Sequence, residues 1–108
     1  MSRELIVEIT TKRFEYTYES MWKSIQIFLR EQGVECASPL RCFKEAFKNG
    51  LIDEKYEEIF ARMVKIRNDL VHIYDEERAQ ELYREIVSPG ICEAISSVLE
   101  KLKEILAT

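Results

Sequence analysis

A chain of 108 residues is long enough for one modest hydrophobic core and too short for two, so a single domain spanning residues 1–108 is expected. With 46% hydrophobic and 33% charged residues, and only 3 Gly and 2 Pro, the composition excludes a disordered or loop-dominated chain and describes a helical protein with strongly charged faces. The formal charge of -4 has the wrong sign for nucleic-acid binding by bulk electrostatics, and no apolar run nears the roughly 20 residues that span a bilayer.

The N-terminal third contains "LIVEITTKRFEYTYES", rich in β-branched and aromatic residues that suit a strand. Periodicity points to a helix instead. Phe14, Tyr18, Met21, Ile25 and Phe28 recur every third or fourth position, Trp22 and Leu29 lie beside them, and Gly33 is placed to stop the run. Four aromatics here, Phe14, Tyr16, Tyr18 and Trp22, offer two readings. Bases could stack on them, but the spacing assigns Phe14, Tyr18 and Trp22 to the core and leaves Tyr16 outside. Glu15 and Glu19 form an i, i+4 carboxylate pair that could hold a metal in a bundle. No Glu-x-x-His partner accompanies them, so a solvated face is the better reading.

Further along, Ser38 as N-cap and Pro39 at the first helical position open a short helix over 39–48, which Asn49-Gly50 ends. The clearest helical signal covers 54–73, where Tyr56, Ile59, Met63, Ile66, Leu70 and Ile73 line one face behind Asp53 as cap. Asp75, followed by Glu76 and Glu77, reads as the N-cap of another helix with the apolar stripe Ala79, Leu82, Tyr83 and Ile86. Ser88-Pro89-Gly90 breaks that run. A last amphipathic helix carries Ile91, Ile95, Val98, Leu99, Leu102 and Ile105, with Lys101 and Lys103 near its end. The expected fold is all-α: an antiparallel four-helix-type bundle with one additional short helix, without internal repeats.

Cys36, Cys42 and Cys92 are odd in number, lack C-x-x-C spacing and have one histidine to share, so neither a disulfide framework nor a zinc site is expected. Buried or incidental thiols are the primary reading and a redox role the secondary one. The N-terminus lacks the charged-then-apolar order of a signal peptide, which makes the cytoplasm the expected location.

The sole histidine, His72, lies in "KIRNDLVHIYDEE". If the helix stays regular to Tyr74, at about 100° per residue, His72 points roughly opposite Met63 and the core stripe, while Arg67 sits on the stripe's flank about 140° away. One regular helix therefore cannot aim both at one phosphate. Either the backbone departs from ideality after Leu70, or two copies pair one chain's Arg67 with the other's His72 across a symmetry axis. Asn68 and His72 are an i, i+4 pair able to share a hydrogen bond on the outer face, and Tyr74 could continue the core stripe with its hydroxyl at the rim.

Three blocks then carry a resemblance. "RFEYTYESMWK" (13–23), "SPLRCFKEAFKNGLID" (38–53) and "RNDLVHIYDEERAQELY" (67–83), in that order and spacing, resemble the nucleotidyltransferase substrate-binding protein family of the HEPN superfamily, over most of residues 10–87. The resemblance implies a HEPN-like helical bundle, usually dimeric, that forms a complex with a small MNT-type nucleotidyltransferase. Related MNT/HEPN pairs are toxin-antitoxin systems in which the HEPN protein is a metal-independent endoribonuclease with an R-x4-H-x-Y motif, silenced when AMP is added to the tyrosine. Here the motif is Arg67 to Tyr74, so the resemblance makes Arg67 and His72 the catalytic pair, Asn68 and Asp69 supporting polar residues, and Tyr74 the modification site. Such a family has a further long helix before the "RFEYTYE" block, whereas only twelve residues precede Arg13 here, so that first helix is expected to be truncated.

The chemistry suits these residue types. Metal-free RNA cleavage requires proton transfer at the 2'-hydroxyl and the leaving oxygen, which histidine performs near neutral pH. Arginine can grip the phosphate at two points and stabilise the charge developing on it. Phosphate loops, a nucleophile elbow and metalloprotease motifs are absent, so the chain is not expected to be a nucleotidyltransferase itself, nor to need a cofactor or metal. Three functions remain: an MNT partner subunit that binds the enzyme and its nucleotide or RNA substrate, an endoribonuclease toxin, and a non-catalytic helical dimerisation module.

Overall fold

Ser2 opens the first helix by accepting a 3.2 Å hydrogen bond from the Leu5 amide. Helix α1 then runs unbroken over Arg3–Glu31 in the computed structural model, which describes residues 2–107. Residues 3–12, ahead of the "RFEYTYE" block, are thus the first turns of α1 itself. Its β-branched content does not divert it into a strand, because Val7, Phe14, Tyr18, Met21, Ile25 and Leu29 bury one continuous stripe, and such burial outweighs small propensity losses. Gly33, at φ +83°, ends the helix as expected; Val34 N–H donates to the Leu29 carbonyl at 2.8 Å, closing the last turn.

Helix α2 spans Pro39–Lys48, α3 Glu57–Leu70, α4 Glu76–Ile86 and α5 Pro89–Ala107, with a 3-10 turn at Glu54–Tyr56 leading into α3. The described residues contain no strand. Ser38 caps α2 through Arg41 N–H, and Gly50 at φ +80° terminates it. Helix α1 packs on α2 and α4, and α3 packs on α2, α4 and α5. Where α1, α2 and α3 meet, an aromatic chain forms the centre of the core: Phe14 against Tyr18 (5.9 Å between ring centroids), Tyr18 edge-on to Phe43 (5.9 Å), and Phe43 edge-on to Phe60 (4.9 Å). Trp22 packs partly buried against this core and Tyr16 faces outward, as the spacing predicts.

The helix expected over 54–73 is shorter at both ends. Asp53 makes no side-chain cap; its carboxylate instead accepts a hydrogen bond from Lys101 of α5, whose ammonium also donates to the Gly50 carbonyl at 3.2 Å. At the other end, Val71 and His72 N–H groups donate to the carbonyls of Asn68 and Asp69, three residues back, and the helix stops. The physical reason lies just downstream. Asp75 must be extended (φ -148°, ψ 165°) for its carboxylate to accept from Arg78 N–H at 2.7 Å and cap α4, so the chain unwinds through Ile73 and Tyr74 to reach that conformation.

The cysteines require a correction. Cys36 and Cys42 are buried, but they are joined in a disulfide with a Cα–Cα distance of 5.2 Å; Cys92 is free and exposed. Their spacing carries no disulfide signature because the pairing depends on how the loop after Gly33 folds back onto the first turn of α2. Gln26 holds that loop by donating to the Cys36 carbonyl at 2.7 Å. Replacing both Cys36 and Cys42 by Ser is expected to cost about 2 kcal/mol in denaturant unfolding, the value for so short a closed loop, whereas Cys92→Ser is expected to be neutral.

Candidate functional site

The aromatic chain sets the rotation of α3. Phe60 and Arg67 lie seven residues, almost two turns, apart and so share a face, and Tyr18 precedes Glu19 on α1. Arg67 accordingly points toward α1. Its Nε lies 3.6 Å from Glu19 Oε1, an ion pair without hydrogen-bond contact, and that nitrogen is buried without a hydrogen-bond partner. The other oxygen of Glu19 accepts from the Trp22 indole N–H at 3.2 Å and lies 3.9 Å from Lys23 Nζ. Glu19 is therefore a junction between α1 and α3 that stays partly open to solvent, and the i, i+3 relation to Trp22 was the available signal for it in the sequence.

Arg67, Asn68, Tyr18, Glu19, Ser38 and Leu40 border a cavity of about 420 Å³ between α1, the start of α2 and α3. Burial, with the charge of Glu19 second, pushes the Tyr18 phenol up to about 12, while Arg67 acts in the opposite direction.

His72 and Tyr74 lie elsewhere, in the turn between α3 and α4. Both are exposed, Tyr74 to 87%, and their rings lie 6.5 Å apart at 27°. The outward histidine is as expected, although the turn rather than a regular helix puts it there. Tyr74 does not continue the core stripe, because the helix has ended four residues earlier. For the same reason Asn68 and His72 share no hydrogen bond: leaving the helix cancels their i, i+4 relation. No hydrogen bond or ion pair joins Arg67 to His72: the guanidinium pairs with Glu19 of α1, and the imidazole lies on the turn beside Tyr74.

Asp69 belongs to a different arrangement. Its carboxylate accepts from Lys65 Nζ at 3.2 Å and from Arg78 of α4 at 2.8 Å, and Arg78 also donates to Glu81 at 2.9 Å. These contacts fasten the corner between α3 and α4 that carries His72 and Tyr74. Asp69 thus supports the turn and not the Arg67 side chain, and Arg78 is its partner, which sequence reading alone missed. Among the described residues, no group of three His, Cys, Asp or Glu side chains could hold a metal, and no helix is long and apolar enough to cross a membrane.

Five helices around an aromatic core, with an R-x4-H-x-Y segment breaking out of the third helix, define an all-α bundle that presents its histidine and tyrosine on a surface turn. The family model described as "nucleotidyltransferase substrate binding protein like" matches residues 1–104, and the chain belongs to that family. It is similar to a protein of Thermus thermophilus known from its crystal structure, with 33% sequence identity and a TM-score of 0.81 over 94% of this chain and 83% of that one. The comparison with curated proteins gave no match.

Two measurements probe this geometry. Glu19→Gln removes the second-largest influence raising the Tyr18 phenol, so its titration, followed by phenolate absorbance, is expected to move down from about 12 toward the ordinary value. The carboxyls of Asp53, held by Lys101, and Asp69, held chiefly by Lys65, both lie below the ordinary 3.8. Such groups stabilise the fold above that value, and the contribution is lost as pH falls through their lower folded-state values. The melting temperature of Lys101→Met and Lys65→Met variants is therefore expected to depend less on pH in that acidic range than the parent's.

Proposed function

We propose that this chain is the HEPN-type partner subunit of an MNT-type nucleotidyltransferase, binding that enzyme in the cytoplasm together with its nucleotide or RNA substrate and leaving nucleotidyl transfer to the enzyme. The observation that carries this reading is the presentation of Tyr74: a phenol exposed to 87%, on a turn braced by Asp69 and Arg78, is accessible to a second protein's active site. Family membership supports the same assignment. Co-expression with an MNT-type nucleotidyltransferase from the same organism is expected to yield a complex in which mass spectrometry finds added AMP on Tyr74. A tyrosine that stays unmodified would remove the switch.

A second reading, favoured by the exposed His72 beside Tyr74, is a metal-independent endoribonuclease. His72 would move the proton at the 2'-hydroxyl or the leaving oxygen, and Arg67 would stabilise the charge developing on the phosphate. Because Arg67 pairs with Glu19 and makes no hydrogen bond or ion pair with His72, this activity would draw on a dimer that pairs the groups of two chains. AMP on Tyr74 would then place a bulky anion next to His72. Growth arrest and cleavage of single-stranded RNA in EDTA are expected from the parent, with losses of about 100-fold or more in Arg67→Ala and His72→Ala. An inert parent chain would leave the partner-subunit role, or a plain dimerisation module if no nucleotidyltransferase binds either.

A further inference from the structure

The bridge between Cys36 and Cys42 closes a small ring of chain, and the residues inside it, 37–41, are part of a wall. Ser38, Pro39 and Leu40 form the α2 side of the cavity that Tyr18 borders from α1 and Arg67 from α3. Facing them, the Arg67 Nε is buried without a hydrogen-bond partner. The helices on either side are closed by other means. Val34 N–H donates to the Leu29 carbonyl at 2.8 Å to end α1, while Ser38 starts α2 by accepting from Arg41 N–H at its hydroxyl and from Cys42 N–H, at 2.9 Å, at its carbonyl. Gln26 holds the Cys36 carbonyl at 2.7 Å. The covalent bond therefore adds its constraint where the backbone groups are already satisfied, over the one segment that walls the cavity.

We propose that Cys36 and Cys42 are a redox-responsive pair that governs access to Arg67: the disulfide holds residues 37–41 against the cavity, and reduction by a cellular thiol releases them. Disulfides in cytoplasmic proteins are mostly transient and redox-sensing, because the thiol pool there keeps cysteines reduced. The cytoplasmic setting rests on the function proposed above, whereas the ring and its place on the cavity do not. Cys36 keeps 8% exposure and Cys42 has none, so an entering thiolate meets the bond from the Cys36 side. It forms a mixed disulfide with the Cys36 sulfur and expels the Cys42 sulfur, which takes up a proton. A second thiol then displaces Cys36, leaving two thiols on the protein and one disulfide on the reductant, a two-electron exchange. With the ring open, the wall at Ser38, Pro39 and Leu40 is held by hydrogen bonds alone and can open locally without unfolding the aromatic core.

In a Cys92→Ser background, the folded protein incubated with reduced glutathione, then trapped with acid, unfolded and alkylated, is expected to carry the label on both Cys36 and Cys42; oxidised glutathione is expected to restore the bridge, with the same helical circular dichroism in both forms. Phenylglyoxal, which modifies arginine, is expected to react at Arg67 about 10-fold faster in the reduced form than in the oxidised one, and at the exposed Arg62 equally fast in both. Replacing Cys36 and Cys42 together by Ser is expected to fix the faster Arg67 rate whatever the glutathione ratio. A bridge that reduced glutathione leaves intact in the folded protein, a loss of helical signal on reduction, or an Arg67 rate equal in the two forms would each overturn the proposal. Each readout uses the chain alone, so a failure to bind a nucleotidyltransferase or RNA would count against the functions proposed above and leave the redox pair standing.

Discussion

The edge-to-face contacts of Tyr18 with Phe43 and of Phe43 with Phe60 are what the remainder of the molecule depends on. They join α1, α2 and α3 at one point and fix the rotation of α3 about its axis. Arg67, almost two turns beyond Phe60, is thereby directed at the residue that follows Tyr18. A different packing of these three rings would turn Arg67 to solvent and leave Glu19 with only Trp22 and Lys23. The core and the candidate site are therefore one construction.

Electrostatics then separates the motif into two parts. Arg67 is drawn inward by Glu19, while the corner that bears His72 and Tyr74 is held by Asp69, Arg78 and the Asp75 cap. Two helix ends compete for the residues between Leu70 and Asp75, and the cap of α4 prevails because the Asp75 carboxylate accepts from an otherwise open N–H in the first turn of α4. The result is a braced turn that exposes a phenol and an imidazole side by side. The disulfide between Cys36 and Cys42 ties the end of α1 to the start of α2, next to the cavity that Arg67 borders. In a reducing cytoplasm that tie would open.

Much of the fold was legible residue by residue. Ser38-Pro39 and Asn49-Gly50 mark α2, Gly33 marks the end of α1, and Asp75-Glu76-Glu77 marks the start of α4, because these residues act through backbone geometry and local hydrogen bonds. What failed was non-local. Asp53 is a good capping residue on its own, but Lys101, 48 positions away, takes its carboxylate. Cys36 and Cys42 look incidental until the loop between them is folded. Tyr74 fits the core stripe only for a helix that continues, and the decision to end it is made by α4.

The sequence by itself determined that the chain is an all-α bundle, where α2 and α4 begin and end, that Tyr16 and His72 face outward, and which residues make up the R-x4-H-x-Y segment, since periodicity and capping are encoded over a few neighbouring positions. Only the tertiary structure decided that Arg67 pairs with Glu19, that Asp69 serves Arg78, and that His72 and Tyr74 stand together on a turn after α3 has ended. Those relations depend on how one helix is rotated against another, and that rotation is set by the packing of Tyr18, Phe43 and Phe60 in the core.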